Sequence, residues 1–253
     1  MKNTYLYKYV KTAYKTGEPN YFDLLVANNS IWFSSPHKFN DIYDCNFNLD
    51  YSQLDSDEMR TILLRAAHEL TDPNKRQMVI NNLTVVQSDA GKRLVSEVIN
   101  SDVKKVLSEI GVACFTEKPD NDLMWAHYTD SHSGACLIFD PDIDERFFNT
   151  LRGKVNYSDT PPIIDKLGMQ DLLTYIFTKS KRWEYEKEVR LVRDTENAFP
   201  FIKEALVGII FGFRMPTSER QRIQALLGAH GYNVKYHEMK SGKGPFSLAI
   251  KEL

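Results

Sequence analysis

Gly111-Val112-Ala113-Cys114-Phe115-Thr116-Glu117 and, further on, Gly134-Ala135-Cys136-Leu137-Ile138-Phe139-Asp140 are the stretches that decide the fold. Both are short apolar runs, the form of β-strands rather than helices. Between them lies Met124-Trp125-Ala126-His127-Tyr128, with His132 and Gly134 following, where aromatic and ionisable side chains mix instead of the aliphatics of a plain core.

Outward towards the N-terminus, the region from Ser52 to Ile110 reads as helix. Asp55-Ser56-Asp57-Glu58 offers a cap and an acidic first turn, and Met59, Ile62, Leu63, Ala66, Ala67 and Leu70 recur at helical spacing. Pro73 breaks that pattern, and a second helix and then a third, from about Ala90 to Glu109, are expected to follow. Earlier still, Tyr5 to Val10 and Ser30 to Ser34 read as strands around a short helix, Tyr21 to Asn29, ended by an Asn pair.

Towards the C-terminus come a strand at Lys154 to Tyr157, a Pro161-Pro162 break, a helix from about Ile164 to Lys181 and a strand from Tyr185 to Arg193. Ala205 to Gly212 reads as a buried strand. A helix capped at Thr217 or Ser218 runs to about His230, and strands follow near Tyr232 to His237 and Phe246 to Ile250. Strands and helices intersperse without a βαβ rhythm, so the expected class is α+β: mixed or antiparallel sheets with flanking helices. One domain is expected over residues 1–253, with 52–110 as a helical insertion or lid.

The chain has 253 residues, 42% hydrophobic and 26% charged, with a formal net charge of -2. That balance lacks the basic excess of a protein held mainly by phosphate contacts. No segment approaches the roughly 18 consecutive apolar residues of a membrane span, and the start lacks the apolar core of a secretory signal. A cytoplasmic protein without membrane contact is expected. Cys45, Cys114 and Cys136 are too few for a disulfide framework and fit buried small hydrophobes.

Three segments carry candidate chemistry. The first is Trp32-Phe33-Ser34-Ser35-Pro36 leading to Asn40, Asp41 and Asp44, where short polar side chains also fix tight loops. The second is the Trp125, His127, Tyr128 segment, read either as a stacking wall of Trp125 and Tyr128 with His127 donating to a ligand or to backbone, or as an aromatic core corner with a satisfied buried histidine. A zinc site from His127, His132, Cys114 and Cys136 has no knuckle or HExxH spacing behind it, and no metal is expected. The third is Trp183-Glu184-Tyr185-Glu186-Lys187-Glu188-Val189-Arg190. On a continuous strand Glu184, Glu186, Glu188 and Arg190 share one face. Crowded carboxylates serve acid/base work or form an ion network answered by Arg190, Lys179 and Arg182. The glycine-rich dinucleotide, phosphate-loop and nucleophile-elbow motifs are absent from the sequence.

Taken together, LYKY, WFSSPHKFNDIYDC, CFTEKPDNDLMWAHYTDSHSGACLIFD, KSKRWEYEKEVRLV and LVGIIFGFRMPTSERQRI resemble a bacterial family known as domain of unknown function 2971. Ile42 stands where such sequences often carry proline. The order of elements is more distantly similar to the ADP-ribosyltransferase superfamily. That resemblance implies NAD as substrate, with Tyr7 to Tyr9, Trp32 to Ser34, and Glu186 with Glu188 around it. The first strand offers Lys8 and Tyr9 where histidine or arginine is usual.

By this resemblance Glu188 would stabilise an oxocarbenium-like ribose and Glu186 orient the acceptor, with Trp32 or Tyr128 holding the nicotinamide. The expected ligand-binding set is Lys8, Tyr9, Trp32, Ser34, Asn40, Asp41, Trp125, His127, Tyr128, Trp183 and Arg190. Relatives of this style act as toxins or in phage defence, modifying protein or nucleic acid. Two readings of other classes compete. One is a non-catalytic module sensing a nucleotide-type small molecule or contacting a partner. The other is a metal-dependent nuclease built on Asp41, Asp44, Glu117 and the Glu186 region.

Overall fold

The computed structural model describes residues 5–13, 20–45, 56–69, 71–81, 83–162 and 169–253. In chain order the strands are β1 (Leu6–Val10), β2 (Ser30–Phe33), β3 (Gly111–Thr116), β4 (Ala135–Phe139), β5 (Leu151–Lys154), β6 (Asn156–Ser158), β7 (Thr178–Ser180), β8 (Glu188–Arg193), β9 (Asn197–Pro200), β10 (Leu206–Phe211), β11 (Lys235–Ser241) and β12 (Leu248–Glu252). The helices are α1 (Tyr21–Asn28), α2 (Ser56–Glu69), α3 (Pro73–Asn81), α4 (Asp89–Glu109), α5 (Asp122–Tyr128), α6 (Glu145–Phe148), α7 (Met169–Ile176) and α8 (Thr217–Ala229). This is the α+β class expected from the sequence. The expected cap at Asp55, the apolar position Leu70 and the expected helix start at Ile164 lie outside the described residues.

The chain divides into two compact units. The first, Met1–Ser34 with Gly111–Val155 and Arg182–Leu253, is built on an eight-stranded sheet of order β12-β11-β10-β4-β1-β3-β8-β5. Neighbours are antiparallel except β10 and β11, whose parallel step is supplied by the crossover through α8. Pairing partners share a face, so the register sorts the side chains. Leu6, Lys8, Val10, Ala113, Phe115, Leu137, Phe139, Val189 and Leu191 line one face. Tyr7, Tyr9, Cys114, Thr116, Cys136, Ile138, Glu188 and Arg190 line the other.

The first face holds the main core, closed by Phe22, Leu25 and Val26 of α1, Phe147 and Phe148 of α6, and Ile223 and Leu227 of α8. The short β2–β9 sheet adds Ile31, Phe33 and Phe199. On the second face Trp125 of α5 is fully buried with Cys136, Ile138, Ile210 and Met239. Apolar residues thus fall on both faces of the central strands. That is why β3, β4 and β10 read as continuous apolar runs rather than alternating ones.

The second unit, Ser35–Ile110 with Asn156–Lys181, contains α2, α3, α4 and α7 and a parallel β6–β7 pair. Met59, Ala67 and Leu107 are buried in it, and Ser88 caps α4 by accepting from the Gly91 amide at 3.1 Å. Pro73 starts α3, where its missing N–H costs nothing.

Several local expectations are corrected. The single strand expected at Lys154 to Tyr157 is split between β5 and β6, which belong to different sheets. Instead of a strand from Tyr185, a 3-10 turn spans Lys181–Glu186, and β8 begins only at Glu188. Lys187 between them has φ 44, a left-handed conformation that breaks the strand. The N-cap of α8 is Pro216, without a side-chain bond from Thr217 or Ser218. The last strands lie a few residues beyond their expected places, and β9 has no counterpart among the sequence expectations.

Candidate functional site

Within the first unit the second and third candidate segments meet, Tyr128 with Glu186 and His127 with Trp183. On the sheet face carrying α5, Glu188 and Arg190 stand two residues apart on β8 and therefore point the same way. Arg190 Nε donates to Glu188 Oε1 at 2.9 Å and a terminal nitrogen donates to Oε2 at 3.0 Å, a bidentate pair with Arg190 wholly buried. Gly153 of β5 lies opposite Arg190, leaving room for its guanidinium. Cys114 of β3 is its partner on the other side. Burial, then the charge of Glu188, pushes the Cys114 thiol well above its ordinary value, so it is neutral and unreactive.

Glu186 ends the 3-10 turn rather than continuing the strand. Its carboxylate accepts from the Tyr128 hydroxyl at 2.6 Å, and its carbonyl accepts from Thr116 Oγ1 at 2.6 Å. The expected common face of Glu184, Glu186, Glu188 and Arg190 is therefore reduced to Glu188 and Arg190. The same turn is tied to α5 by Asn121, whose side chain caps the helix and donates to the Tyr185 carbonyl at 3.2 Å. Trp125 is not a stacking wall. Its ring meets Tyr9 edge-on at 5.2 Å and its Nε1 donates to the Pro119 carbonyl at 2.8 Å. Burial first, then Cys136, raises the Tyr9 phenol, whose hydroxyl donates to the Lys118 carbonyl. His127 is exposed, 6.2 Å from the Trp183 ring.

The opposite sheet face holds the other members of the expected set. A cavity of about 630 Å³ opens there, lined by Lys8, Val10, Lys11, Asn20, Tyr21, Leu24, Trp32 and neighbours from α1 and β2. Lys8 Nζ donates to the Cys114 carbonyl at 3.1 Å and lies 5.2 Å from the Phe115 ring centre. The carbonyl is available because β1 and β3 pair at one registered position, Tyr7 with Thr116, while β1 and β4 pair along five. Burial lowers the pKa of Lys8, opposed in part by Cys114 and Glu188. Trp32, nearly half exposed, presents its indole at the rim and donates weakly to Glu196 at 3.4 Å.

Asn20 positions the N-terminus of α1, accepting from the Phe22 and Asp23 amides while donating to the Thr12 carbonyl. Lys11, Asn20 and Tyr21 were not singled out by sequence reasoning. The available signal was a lysine on the Leu6, Lys8, Val10 face of a strand, where a third aliphatic would be ordinary.

Ser34 is occupied by its backbone, which exchanges two hydrogen bonds with Val112. Asn40 and Asp41 lie in the second unit. There Asp41 Oδ1 accepts from the Tyr43 amide at 3.0 Å, the local turn role that short polar side chains take. Asp44 pairs with Lys179 at 3.3 Å, both buried. Glu117 pairs with Lys154 at 2.8 Å. Among the described residues no group of three or more His, Cys, Asp or Glu side chains is placed to hold a metal ion.

These features define an α+β protein with a buried ion pair on one sheet face and a cationic cavity on the other. The model of one family, described as a protein of unknown function (DUF2971), matches residues 124–191. The matched segment runs from α5 through β8, so the family resemblance read from the sequence is borne out there. No curated protein and no solved structure matches the chain. Among the described residues no helix is long and apolar enough to cross a membrane.

Proposed function

We propose that the chain is a small-molecule binding module whose ligand is a nucleotide-type anion seated in the cavity beside α1. The observation that carries this reading is the lining: Lys8 and Lys11 contribute positive charge, no carboxylate lines the wall among the described residues, and Trp32 and Tyr21 offer aromatic surface. The volume lies within the roughly 300–1,000 Å³ of small-molecule sites. A base stacks on an exposed indole and a phosphate meets lysines, without the glycine-rich loop that the sequence lacks.

Transfer of ADP-ribose from NAD is supported less well. A carboxylate that stabilises developing charge on a ribose must face it, whereas Glu188 is buried with both oxygens accepting from Arg190. The nuclease reading loses its donors to other partners, Asp44 to Lys179 and Glu117 to Lys154.

Calorimetric titration with AMP, ATP and NAD tests the proposal. Binding that weakens about tenfold in Trp32→Ala, near 1.4 kcal/mol, is expected. Failure of all three to bind, or binding indifferent to Trp32→Ala, overturns it. Nicotinamide release from NAD that disappears in Glu188→Gln would restore the transfer reading in its place.

A further inference from the structure

A lysine is the odd member of its sheet face. Leu6 and Val10 flank Lys8 on the core side of β1, and its strand neighbours on that face are Leu137 and Phe115. Its stem packs among apolar groups, and its Nζ has one hydrogen-bond acceptor, the Cys114 carbonyl, among the described residues. No carboxylate there comes within ion-pair distance of it. Glu188 acts on it only at longer range, and that carboxylate is already engaged by Arg190. An ammonium offers three donors, and the described wall of the cavity around it is largely apolar. Such a setting eases loss of the ammonium proton, and the amine that results carries a lone pair and is a nucleophile. Arginine would serve a permanent anion contact better, being always charged and less costly to desolvate.

We propose that Lys8 captures the carbonyl carbon of an aldehyde or ketone that also bears an anionic group, forming an imine inside this cavity. The inference rests on the reading of the cavity as an anion-accepting ligand site. The Nζ lone pair attacks the carbonyl carbon and a carbinolamine forms. Both amine hydrogens and the carbonyl oxygen then leave as one water, giving a C=N bond. Nothing is oxidised or reduced, so no co-reactant is required. Lys11, exposed at the rim, meets the anionic group, and Trp32 and Tyr21 flank the ligand body.

The test uses 4-carboxybenzaldehyde as probe with cyanoborohydride to trap the imine, followed by peptide mass spectrometry of the intact chain's digest. At neutral pH Lys8 is expected to be labelled at least about tenfold faster than Lys11, because the cavity holds the probe's carbonyl against its amine. AMP should protect Lys8, and Lys8→Arg should abolish the preferred label. If Lys8→Arg does not fold, protection of the parent by AMP and by 4-carboxybenzyl alcohol still decides the matter. Labelling spread evenly over surface lysines, or Lys8 no faster than Lys11, overturns the inference. AMP binding without preferred labelling sinks the imine and leaves the binding reading standing. Preferred labelling without any nucleotide binding sinks the nucleotide reading and leaves the imine.

Discussion

Two cations lie on β1 and β8, the strands that flank β3, and they are answered in opposite ways. Arg190 on β8 is wholly enclosed and grips Glu188 through two parallel hydrogen bonds. Lys8 on β1 faces the other side of the sheet with a single carbonyl for a partner among the described residues. The difference teaches which polar groups hold the fold and which are open to a ligand. A buried charge with its counter-charge in place is locked, because removing either partner strands the other. A cation whose donors are only partly answered can accept a ligand or lose its proton.

The widest separation between the two should come from Arg190→Met. It leaves Glu188 buried without its bidentate donor, and a loss of about 3–5 kcal/mol in denaturant unfolding is expected. A loss under about 1 kcal/mol would mean that the pair is not what holds this face. Next, Tyr128→Phe removes the hydroxyl that donates to Glu186, for about 1.5–3 kcal/mol, the range for hydrogen bonds to charged groups. On the cavity side, Asn20→Ala deletes the cap of α1 for about 1 kcal/mol and should weaken AMP binding by loosening the wall.

The smallest effect, and the one of opposite sign, is expected for Lys8→Met. The folded pKa of Lys8 is lowered below its ordinary 10.5, so between the two values the unfolded chain binds more protons and stability rises with pH. The penalty is present in full below the folded pKa and fades as pH climbs towards 10.5. Lys8→Met should therefore equal or exceed the parent in stability at pH 7, and the gap should close in unfolding measurements taken at rising pH. A variant less stable than the parent at pH 7 would break the contrast between the two cations.

Much of this arrangement was legible in the residues. β3, β4 and β10 are apolar through their length, so their strand character is local and strong. Asn29 adopts a left-handed conformation and ends α1, the role its sequence suggested. The third segment misled because alternation alone cannot show that Lys187 takes a positive φ. That conformation belongs to a turn stabilised by contacts from α5 and β3. Strand β9 was invisible because it pairs only with β2 and carries a proline. Register is a long-range property, and it alone decides that Lys8 of β1 and Glu188 of β8 face opposite ways across the sheet. The aromatic richness of the Trp125 segment did mark an important place, but that place is a packed corner rather than an open wall.

After α5 the chain passes through Asp130, Ser131 and His132 with φ of 53, 57 and 71, three consecutive left-handed residues without a glycine. At roughly 1–2 kcal/mol each, the turn is unfavourable until its surroundings fix it. What fixes it are amide bonds back to Ala126 and Trp125, and the Arg214 amide donating to the His132 carbonyl. Gly212 packs so closely on that carbonyl that a Cβ there would lie 2.2 Å away. The turn is therefore held from two sides, by its own helix and by the segment after β10. Opening it should be among the first excursions of the native chain, seen as fast amide exchange at Ser131 and His132 beside slowly exchanging β4.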